Sequence, residues 1–356
     1  MLSSWSYLLS PILSCLSRLF SAQRSFVIDG RRYVIVGEPL GQGATCTVHR
    51  VESPSGECFA VKEMLRAALV DVRREVAAHL AVQHANVLPL LAWSIEGGSG
   101  SSGSSGSGSS GAQRQELLPG GDEEECTALL LLPLARQGSL LDAIAAALRP
   151  AGSHVGAALS EAQALQHCSA LARGLCALHA SGRSHRDVNP RNLLLPGPGL
   201  PQQLGDLGSS GPLLLPIATR LEALRAVEEA ATRTSMPYRA PELWQCDPSP
   251  QPLQGAAADV WALGCTLYAC LYGVSPYECQ AAPGGSGGGL RLCEPCHSRT
   301  LGLVAFPAWP QVSQGVQQLI AACTELQPAR RPSMGEVEER LQQLLLARTR
   351  AGAGAP

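Results

Sequence analysis

The sequence predicts an α+β chain in which a small antiparallel sheet with one helix precedes a larger, mainly helical half. Five short apolar segments, separated by turn residues, lie before residue 134, with one stretch of helical spacing among them. After Pro133 the apolar residues recur mostly at helical spacing. This order favours a small sheet lobe and a larger helical lobe with a cleft between them.

The predicted elements of the first half follow from apolar runs and from turn residues. A glycine turn at Gly41 and Gly43 separates the first two strands, and helical spacing is confined to residues 65–82. The five strands are predicted at 33–36, 45–51, 58–62, 87–93 and 128–132.

The second half is predicted to contain helices at 140–148, 161–179, 217–232 and 260–271. Two further segments, 97–111 and 283–289, are rich in glycine, and we expect both to be disordered insertions because such compositions do not pack. These features divide the chain into an N-terminal tail (1–26), a sheet lobe (27–134), a helical lobe (135–348) and a disordered C-terminal tail (349–356).

The composition excludes several classes of protein. The chain has 356 residues, of which 45% are hydrophobic, so a sizeable core can be buried. Its 27 basic and 29 acidic residues give a net charge of −2, which argues against a nucleic-acid binder with a generally basic surface. Thirteen cysteines, an odd number mostly within apolar runs, indicate a reducing, intracellular compartment. The chain contains no uninterrupted run of about 18 apolar residues, so we expect no transmembrane helix.

The N-terminal segment 1–24 is apolar, rich in serine and free of acidic residues, with Arg18 and Arg24 near its end. Three interpretations stay open: an organelle transit peptide, a peripheral membrane anchor helped by acylation of Cys15, or a tail that packs on the domain or is disordered. Because Leu2 follows Met1 where the modification needs a glycine, we expect no N-myristoylation. We expect a cytoplasmic, peripheral-membrane or organellar location.

The turn Leu40-Gly41-Gln42-Gly43 lies between two predicted strands, where glycines let the backbone approach a polyphosphate closely. Lys62 follows at the end of the third predicted strand, and Glu75 lies on the next helix. An ion pair between these two residues is expected to direct the lysine ammonium at nucleotide phosphates.

The run from His185 to Asn192 carries the most specific pattern in the chain. Asp187 and Asn192, five residues apart on one loop, suit two tasks: the carboxylate accepts a hydroxyl proton, and the amide oxygen binds Mg²⁺. Asp206 follows fourteen residues after Asn192, before a glycine, and suits a second metal contact. We also expect Glu242 to pair with Arg331, and Asp259 to cap a helix and hold the backbone of this loop.

In this order the motifs resemble the eukaryotic protein kinase family over about residues 33–346. Within it the chain is most similar to the Numb-associated kinases, particularly the myristoylated and palmitoylated serine/threonine kinase branch, on the segments 27–33, 131–134 and 206–209. The resemblance implies a bilobal serine/threonine kinase that uses ATP and Mg²⁺, acts on a protein substrate and is a monomer.

The same resemblance assigns residues to the adenine site. It implies that Leu132 is the gatekeeper and that Ala135 offers hinge backbone bonds to adenine. Ser235 lies where the family has a Ser or Thr beside the catalytic aspartate. The side chains implied to enclose the purine are Val48, Ala60 and Leu194.

Two residues depart from the family pattern. Asn189 stands where serine/threonine kinases have a lysine that steadies the γ-phosphate, and Cys46 stands at the third glycine position of the turn. Arg191 lies four residues after Asp187, where tyrosine kinases have an arginine, and we interpret it as a substitute for the missing lysine. The alternative is an ATP-binding pseudokinase that acts as a scaffold. The segment 234–239 has the serine/threonine pattern, which disfavours tyrosine specificity.

The run Cys293-Glu294-Pro295-Cys296-His297 matches the spacing of a covalent haem attachment, and with Cys279 it could instead form a zinc site. It adjoins a Gly-rich insertion in a chain with intracellular cysteine usage. We therefore expect unpaired surface thiols here.

Overall fold

The computed structural model describes residues 24–43, 46–96, 104–107, 125–152, 155–281 and 290–353. These residues form two compact units. The first contains the described residues of 24–68, 91–107 and 125–134, and the second contains 69–90 and the described residues from 135 onward. Strands dominate the first unit and helices the second, which confirms the predicted α+β class. The segment 1–23, the Gly-rich run 283–289 and most of 97–111 lie outside the described residues.

The first unit contains one antiparallel sheet of eight described strands, not the five predicted. The order is β1-β2-β4-β5-β8-β6-β7, with β3 paired to β4. The additional strands are β1, which starts two residues before the predicted lobe boundary, the short β3 in the glycine turn, and β7. The strands are β1 (Ser25–Ile28), β2 (Arg31–Ile35), β3 (Gly41–Gln42), β4 (Cys46–Glu52), β5 (Cys58–Ala68), β6 (Ala92–Glu96), β7 (Ser104–Ser107) and β8 (Glu125–Pro133).

The predicted helix 65–82 is observed as α1 (Leu69–Ala81), because its first residues extend β5 instead. The strand is irregular between Met64 and Ala67, and Arg66 has a positive φ of 50°. This irregularity lets Ala67 and Ala68 resume pairing with β8. Helical spacing alone could not show that pairing with a distant strand takes precedence at residues 65–68.

The predicted strand 87–93 is also displaced. Leu88 donates its backbone N–H to the Leu204 carbonyl at 2.8 Å, and Pro89 has no N–H to give a sheet, so β6 starts only at Ala92. The prediction that the whole segment 97–111 lacks regular structure is wrong at Ser104–Ser107, which pairs with β6. Backbone hydrogen bonds suffice for that pairing, whatever the side chains.

The second unit contains eight described α-helices, and the predicted helices 140–148, 161–179, 217–232 and 260–271 are confirmed within a few residues. The helices are α1, α2 (Leu140–Leu148), α3 (Glu161–Ala180), α4 (Arg220–Arg233), α5 (Gly255–Tyr272), α6 (His297–Thr300), α7 (Gln314–Cys323) and α8 (Met334–Ala353). Because α8 continues to Ala353, the prediction of disorder from residue 349 is wrong as far as that residue.

Short antiparallel strand pairs complete the second unit: β9 with β12, β10 with β11, β13 with β14 and β15 with β16. The last pair flanks the Gly-rich run 283–289. These strands are β9 (Arg183–Ser184), β10 (Leu193–Leu194), β11 (Gln203–Leu204), β12 (Gly211–Pro212), β13 (Leu214–Ile217), β14 (Ser249–Gln254), β15 (Cys279–Ala281) and β16 (Leu290–Leu292).

Helix α5 lies at the centre of the second unit. Every residue from Ala257 to Tyr272 is buried, as expected for a helix that is apolar on all sides. Side chains of α2, α3, α7 and α8 pack with it in one continuous core. Asp259 on α5 is therefore buried within this packed core. Among the described residues, no helix is both long and apolar enough to cross a membrane.

Candidate active site

Four of the predicted nucleotide-binding residues share one face of the first unit's sheet. Val48 on β4 lies opposite Lys62 on β5, and Ala60 lies opposite Leu132 on β8. Residues two apart on a strand point to the same side, and residues in register across a ladder do so too. The face therefore presents one buried lysine within an apolar surround. Such a surface suits a flat aromatic ligand that carries negative charge at one end.

The glycine turn forms the edge of this sheet. Leu40 donates its N–H to the Val48 carbonyl at 2.8 Å, and Gly43 donates its N–H to the Cys46 carbonyl at 2.8 Å. The N–H of Gly43 is therefore engaged within the turn in this structure. An ideal Cβ at Gly41 would meet no atom within 4 Å, so that side of the turn has open space.

The loop that carries Asp187 is held through its backbone by Asp259 on α5. The Asp259 carboxylate accepts the backbone N–H groups of His185 and Arg186, each at 2.8 Å, and contacts His179 Nε2 at 2.8 Å. Asp259 is only 1% exposed. The predicted role of Asp259 in holding this loop is confirmed. Its predicted place as a helix cap is wrong, because α5 starts four residues earlier at Gly255.

His185 connects the Asp187 loop to the segment before Asp206. Its Nδ1 accepts the backbone N–H of Asp187 at 3.2 Å, so its Nε2 must carry the proton that bonds to the Gly205 carbonyl at 2.9 Å. The ring is fully buried. The His185 ring thus fixes the spacing between the two segments that bear the predicted catalytic and metal-binding carboxylates.

Both oxygens of the Asp187 carboxylate accept hydrogen bonds. Oδ1 accepts the backbone N–H of Ser235 at 2.7 Å, and Oδ2 accepts Asn192 Nδ2 at 3.1 Å. Asn192 Nδ2 also donates to the Asp187 carbonyl at 2.8 Å. The carboxylate is thereby fixed in orientation, and each oxygen keeps a lone pair for a substrate hydroxyl.

The donor atoms of Asn192 and Asp206 fit the predicted metal site. The amide nitrogen of Asn192 is already engaged, so its Oδ1 is the atom that remains for a cation. Asp206 is exposed and has a positive φ of 53°, a conformation that aspartate tolerates better than most residues. One amide oxygen and one carboxylate, completed by phosphate oxygens and water, fit the hard oxygen ligands that Mg²⁺ prefers.

Glu75 on α1 packs against the turn that follows Asp206. An ideal Cβ at Gly208 would lie 3.0 Å from Glu75 Oε2 and 3.4 Å from Asp206 Oδ1. Glycine at this position therefore lets both carboxylates approach the same turn. Lys62 belongs to the first unit and Glu75 to the second, and their ion pair stays a prediction.

Asn189 and Arg191, the two residues that depart from the expected pattern, differ in their surroundings. Asn189 is 3% exposed, and its side chain makes hydrogen bonds to the Asp187 carbonyl, to Ser235 Oγ and from the Arg191 N–H. Arg191 has an exposed side chain. Burial raises the pKa of Glu278, and a backbone hydrogen bond from Ser275 and the positive charge of Arg191 each offset part of that rise.

Sequence reasoning missed a set of ion pairs that connects the loop with α4 and α1. Arg186 contacts Glu229 at 3.4 Å, Arg233 contacts Glu229 at 3.5 Å and Asp71 at 2.6 Å, and Arg74 contacts Asp71 at 3.1 Å. Burial lowers the pKa of Arg186, and Glu229 opposes that shift. These partners lie up to 162 residues apart in the chain, so no local spacing could have revealed them.

The predicted pair of Glu242 and Arg331 is confirmed. The guanidinium makes two parallel bonds to the carboxylate, at 2.7 and 2.8 Å, and stacks 4.9 Å from the ring centre of Trp261. Its side chain is fully buried. This fork fixes the segment that follows Ser235 to the helical core.

The remaining predicted adenine contacts in the second unit are half-buried. The Ala135 carbonyl accepts the N–H of Gly138 at 3.2 Å. Leu194 on β10 packs against Gly205, where an ideal Cβ would lie 3.1 Å from its side chain. Their roles toward a nucleotide stay predictions.

The cysteine-rich run makes aromatic and polar contacts of its own. In the part of the chain that the structure describes, no three His, Cys, Asp or Glu side chains are grouped to hold a metal ion. His297 instead stacks on Trp244, with ring centres 6.2 Å apart, and Cys296 Sγ lies 3.2 Å from Ser298 Oγ.

Comparison with known proteins agrees with this geometry. Residues 34–343 match the protein kinase domain family. The chain is 31% identical to serine/threonine-protein kinase 16 of Mus musculus over 322 residues, which cover 89% of this chain and 92% of that protein. It is 30% identical to serine/threonine-protein kinase 16 of Homo sapiens over the same shares of the two chains. It is also 29% identical to serine/threonine-protein kinase ENV7 of Saccharomyces cerevisiae over 45% of this chain and 42% of that protein. The chain therefore belongs to the protein kinase family.

Proposed function

We propose that this protein is an active serine/threonine kinase that transfers the γ-phosphate of ATP to a Ser or Thr hydroxyl of a protein substrate. The observation that carries the proposal is the Asp187 carboxylate, held at both oxygens by Ser235 and Asn192. A carboxylate in a fixed orientation suits the task of accepting a hydrogen bond from the attacking hydroxyl. The names of the relatives support serine/threonine specificity.

In this proposal the chain works by positioning and by charge stabilisation. Lys62 and the glycine turn bind the phosphates, while Val48, Ala60, Leu132, Ala135 and Leu194 surround the adenine. Asn192 and Asp206 hold Mg²⁺, which neutralises charge on the phosphate oxygens when bound. Asp187 orients the hydroxyl and accepts its proton as the bond to phosphorus forms.

Arg191 is proposed to supply the positive charge that the missing lysine would provide near the γ-phosphate. Its exposed side chain and its backbone bond to Asn189 Oδ1 support this role. Replacing Arg191 with Ala is expected to lower kcat about 10²-fold, the usual effect of losing one such electrostatic contact. Arg191→Lys, which keeps the charge, is the matched control and retains most activity.

Within the kinases, we propose a place in the Numb-associated branch. The support lies in the sequence: the segment 27–33 before the glycine turn, the Asp-Leu-Gly-Ser run at 206–209, and the helix in the segment before Ala240, which the structure shows as α4.

The competing function is a pseudokinase that binds ATP without transferring phosphate, because Asn189 cannot supply a charge. What supports activity is that Asn189 makes three hydrogen bonds within the loop, one of them to the Asp187 carbonyl. Asn189→Lys is expected to preserve or raise the rate, because an ammonium can donate to the same two acceptors.

The test is phosphate transfer from Mg·ATP to casein by wild type, Asp187→Asn and Lys62→Met. The two variants are expected to lose activity to background, while Asp247→Ala, an exposed carboxylate outside the site, retains it. Wild-type transfer no greater than that of Asp187→Asn would overturn the assignment.

A further inference from the structure

Asn189 lies where a lysine was expected, yet its side chain is buried and hydrogen-bonded. Its amide nitrogen donates to the Asp187 carbonyl at 3.1 Å and to Ser235 Oγ at 3.2 Å. Its amide oxygen accepts the Arg191 N–H at 2.9 Å, which begins the short helical turn at Pro190–Asn192. A side chain that is 3% exposed and makes three hydrogen bonds contributes to the shape of the loop.

Ser235 is bound to this loop at two atoms. Its backbone N–H donates to Asp187 Oδ1 at 2.7 Å, and its hydroxyl accepts from Asn189 at 3.2 Å. The two bonds together hold Ser235 against the Asp187 loop. The bond from Asn189 therefore helps to keep the N–H of Ser235 within reach of the Asp187 carboxylate oxygen that it fixes.

The rest of the segment around Ser235 is held by other contacts. Thr234 Oγ1 donates to the Ala230 carbonyl at 2.8 Å and accepts from Arg239 Nε at 2.6 Å. Arg239 stacks over Trp244 at 4.6 Å. These contacts attach the segment to α4 and to the residues that follow, whereas the bond between Asn189 and Ser235 connects it to the Asp187 loop.

An amide performs this task in a way that a lysine does not. Both side chains can donate to the Asp187 carbonyl and to Ser235 Oγ, but only the amide also has an oxygen that accepts the Arg191 N–H. The residue thus retains the structural contacts of the loop and forgoes the charge.

We propose that Asn189 is a positioning residue that orients Asp187 through Ser235. This inference rests on the proposed kinase function and concerns the same site. It predicts that the hydrogen bond between the two side chains acts on the rate of phosphate transfer and leaves ATP binding unaffected.

The experiment is a double-mutant cycle in the full chain, with Mg·ATP and casein as substrates. Asn189→Ala and Ser235→Ala each remove one side of the bond, and Ser235→Ala is expected to lower kcat about tenfold with KM for ATP unchanged, in line with the loss of one hydrogen bond. Asn189→Ala also removes the bonds to the Asp187 carbonyl and from the Arg191 N–H, so its loss in kcat is expected to be at least as large. The double variant is expected to lose no more than Asn189→Ala alone, because that change has already removed the bond to Ser235. Ser235→Thr, which keeps the hydroxyl, restores most of the rate.

Ser181→Ala is the matched control. Its hydroxyl makes a comparable bond, to the Leu178 carbonyl at 2.7 Å, at the end of α3, and its loss is expected to leave kcat unchanged. Thermal unfolding of every variant separates a lost bond from a lost fold. Should Asn189→Ala fail to fold, Ser235→Ala and Ser235→Thr still decide the question.

Fully additive effects, equal losses in kcat and in ATP affinity, or an unchanged rate in Ser235→Ala would overturn the positioning role. These outcomes differ from failure of the kinase assignment, in which wild type itself transfers no more phosphate than Asp187→Asn.

Discussion

In the sheet of the first unit, Val48, Ala60 and Lys62 share a face because neighbouring strands are in register. In the loop of the second unit, Asp187 is oriented by residues that come from elsewhere in the chain, among them Ser235 and, through the backbone, Asp259. A sheet position thus depends on a ladder of many equivalent bonds, whereas a loop position depends on a few bonds that have no substitute. We therefore expect single changes beneath the loop to have large effects, and single changes in the sheet to have small ones.

The largest effect is expected for Asp259→Ala. This change leaves two backbone N–H groups and His179 without their acceptor, which should cost about 5 kcal/mol in the free energy of unfolding, the upper part of the range for breaking a buried charged network. In protein that still folds, displacement of Asp187 should lower kcat about 10²-fold. Chemical denaturation and initial-rate measurements test both effects, and a loss no larger than that of Asp247→Ala would contradict the comparison.

The next largest effect is expected for Arg331→Ala. The guanidinium is fully buried and forked onto Glu242, so its removal should cost about 3 kcal/mol of unfolding free energy. Arg66 and Glu125 form the corresponding exposed pair of the first unit, with side chains 85% and 60% exposed, and Arg66→Ala should cost less than about 1 kcal/mol. Equal losses of unfolding free energy for Arg331→Ala and Arg66→Ala in denaturant titrations would contradict the expectation that the buried pair contributes more stability than the exposed pair.

A smaller effect is expected for Gly208→Ala. The new methyl group would lie 3.0 Å from Glu75 Oε2, and the shift needed to admit it should cost about 1–3 kcal/mol, the usual range for overpacking. At Gly41 a Cβ has open space and the backbone does not require a positive φ, so Gly41→Ala should leave the unfolding free energy unchanged. Thermal unfolding of the two variants compares their losses of stability. A larger loss for Gly41→Ala than for Gly208→Ala would contradict the expected difference.

The smallest expected effect concerns pH. Burial raises the pKa of Glu161, but hydrogen bonds from Ser313 and Arg348 together lower it by more, so the net pKa lies below its usual 4.5. The folded state therefore gains stability from this carboxylate above about pH 4.5 and loses it as the pH falls through the lowered pKa. Glu161→Gln should make stability less dependent on pH in that acid range, as followed by denaturation at pH 3 to 6. An identical pH dependence in both proteins would contradict this account.

The difference between the regions also explains what the sequence could predict. The family resemblance implied Val48 and Ala60 as adenine contacts, but their shared face with Lys62 depends on the register of β4 and β5, which only the structure shows. Helical spacing located α2 to within a residue, because that pattern is local. The start of α1 was misplaced because pairing of Ala67 and Ala68 with β8 is non-local. The same limit applied to the contacts of Asn189, whose partner Ser235 lies 46 residues away. Residue types can suggest such contacts, but their geometry depends on the whole fold.

The central claim is that the Asp187 loop is competent for catalysis although Asn189 replaces the expected lysine. Intact-mass spectrometry of the full chain, incubated with Mg·ATP and casein and paired with calorimetric titration of ATP, tests it most directly. The account predicts that wild type binds ATP and that phosphate is added to Ser or Thr of the full chain or of casein. It predicts that no phosphate is added when the Asp187→Asn protein is used. Binding of ATP by wild type with no phosphate gained by either protein would contradict it.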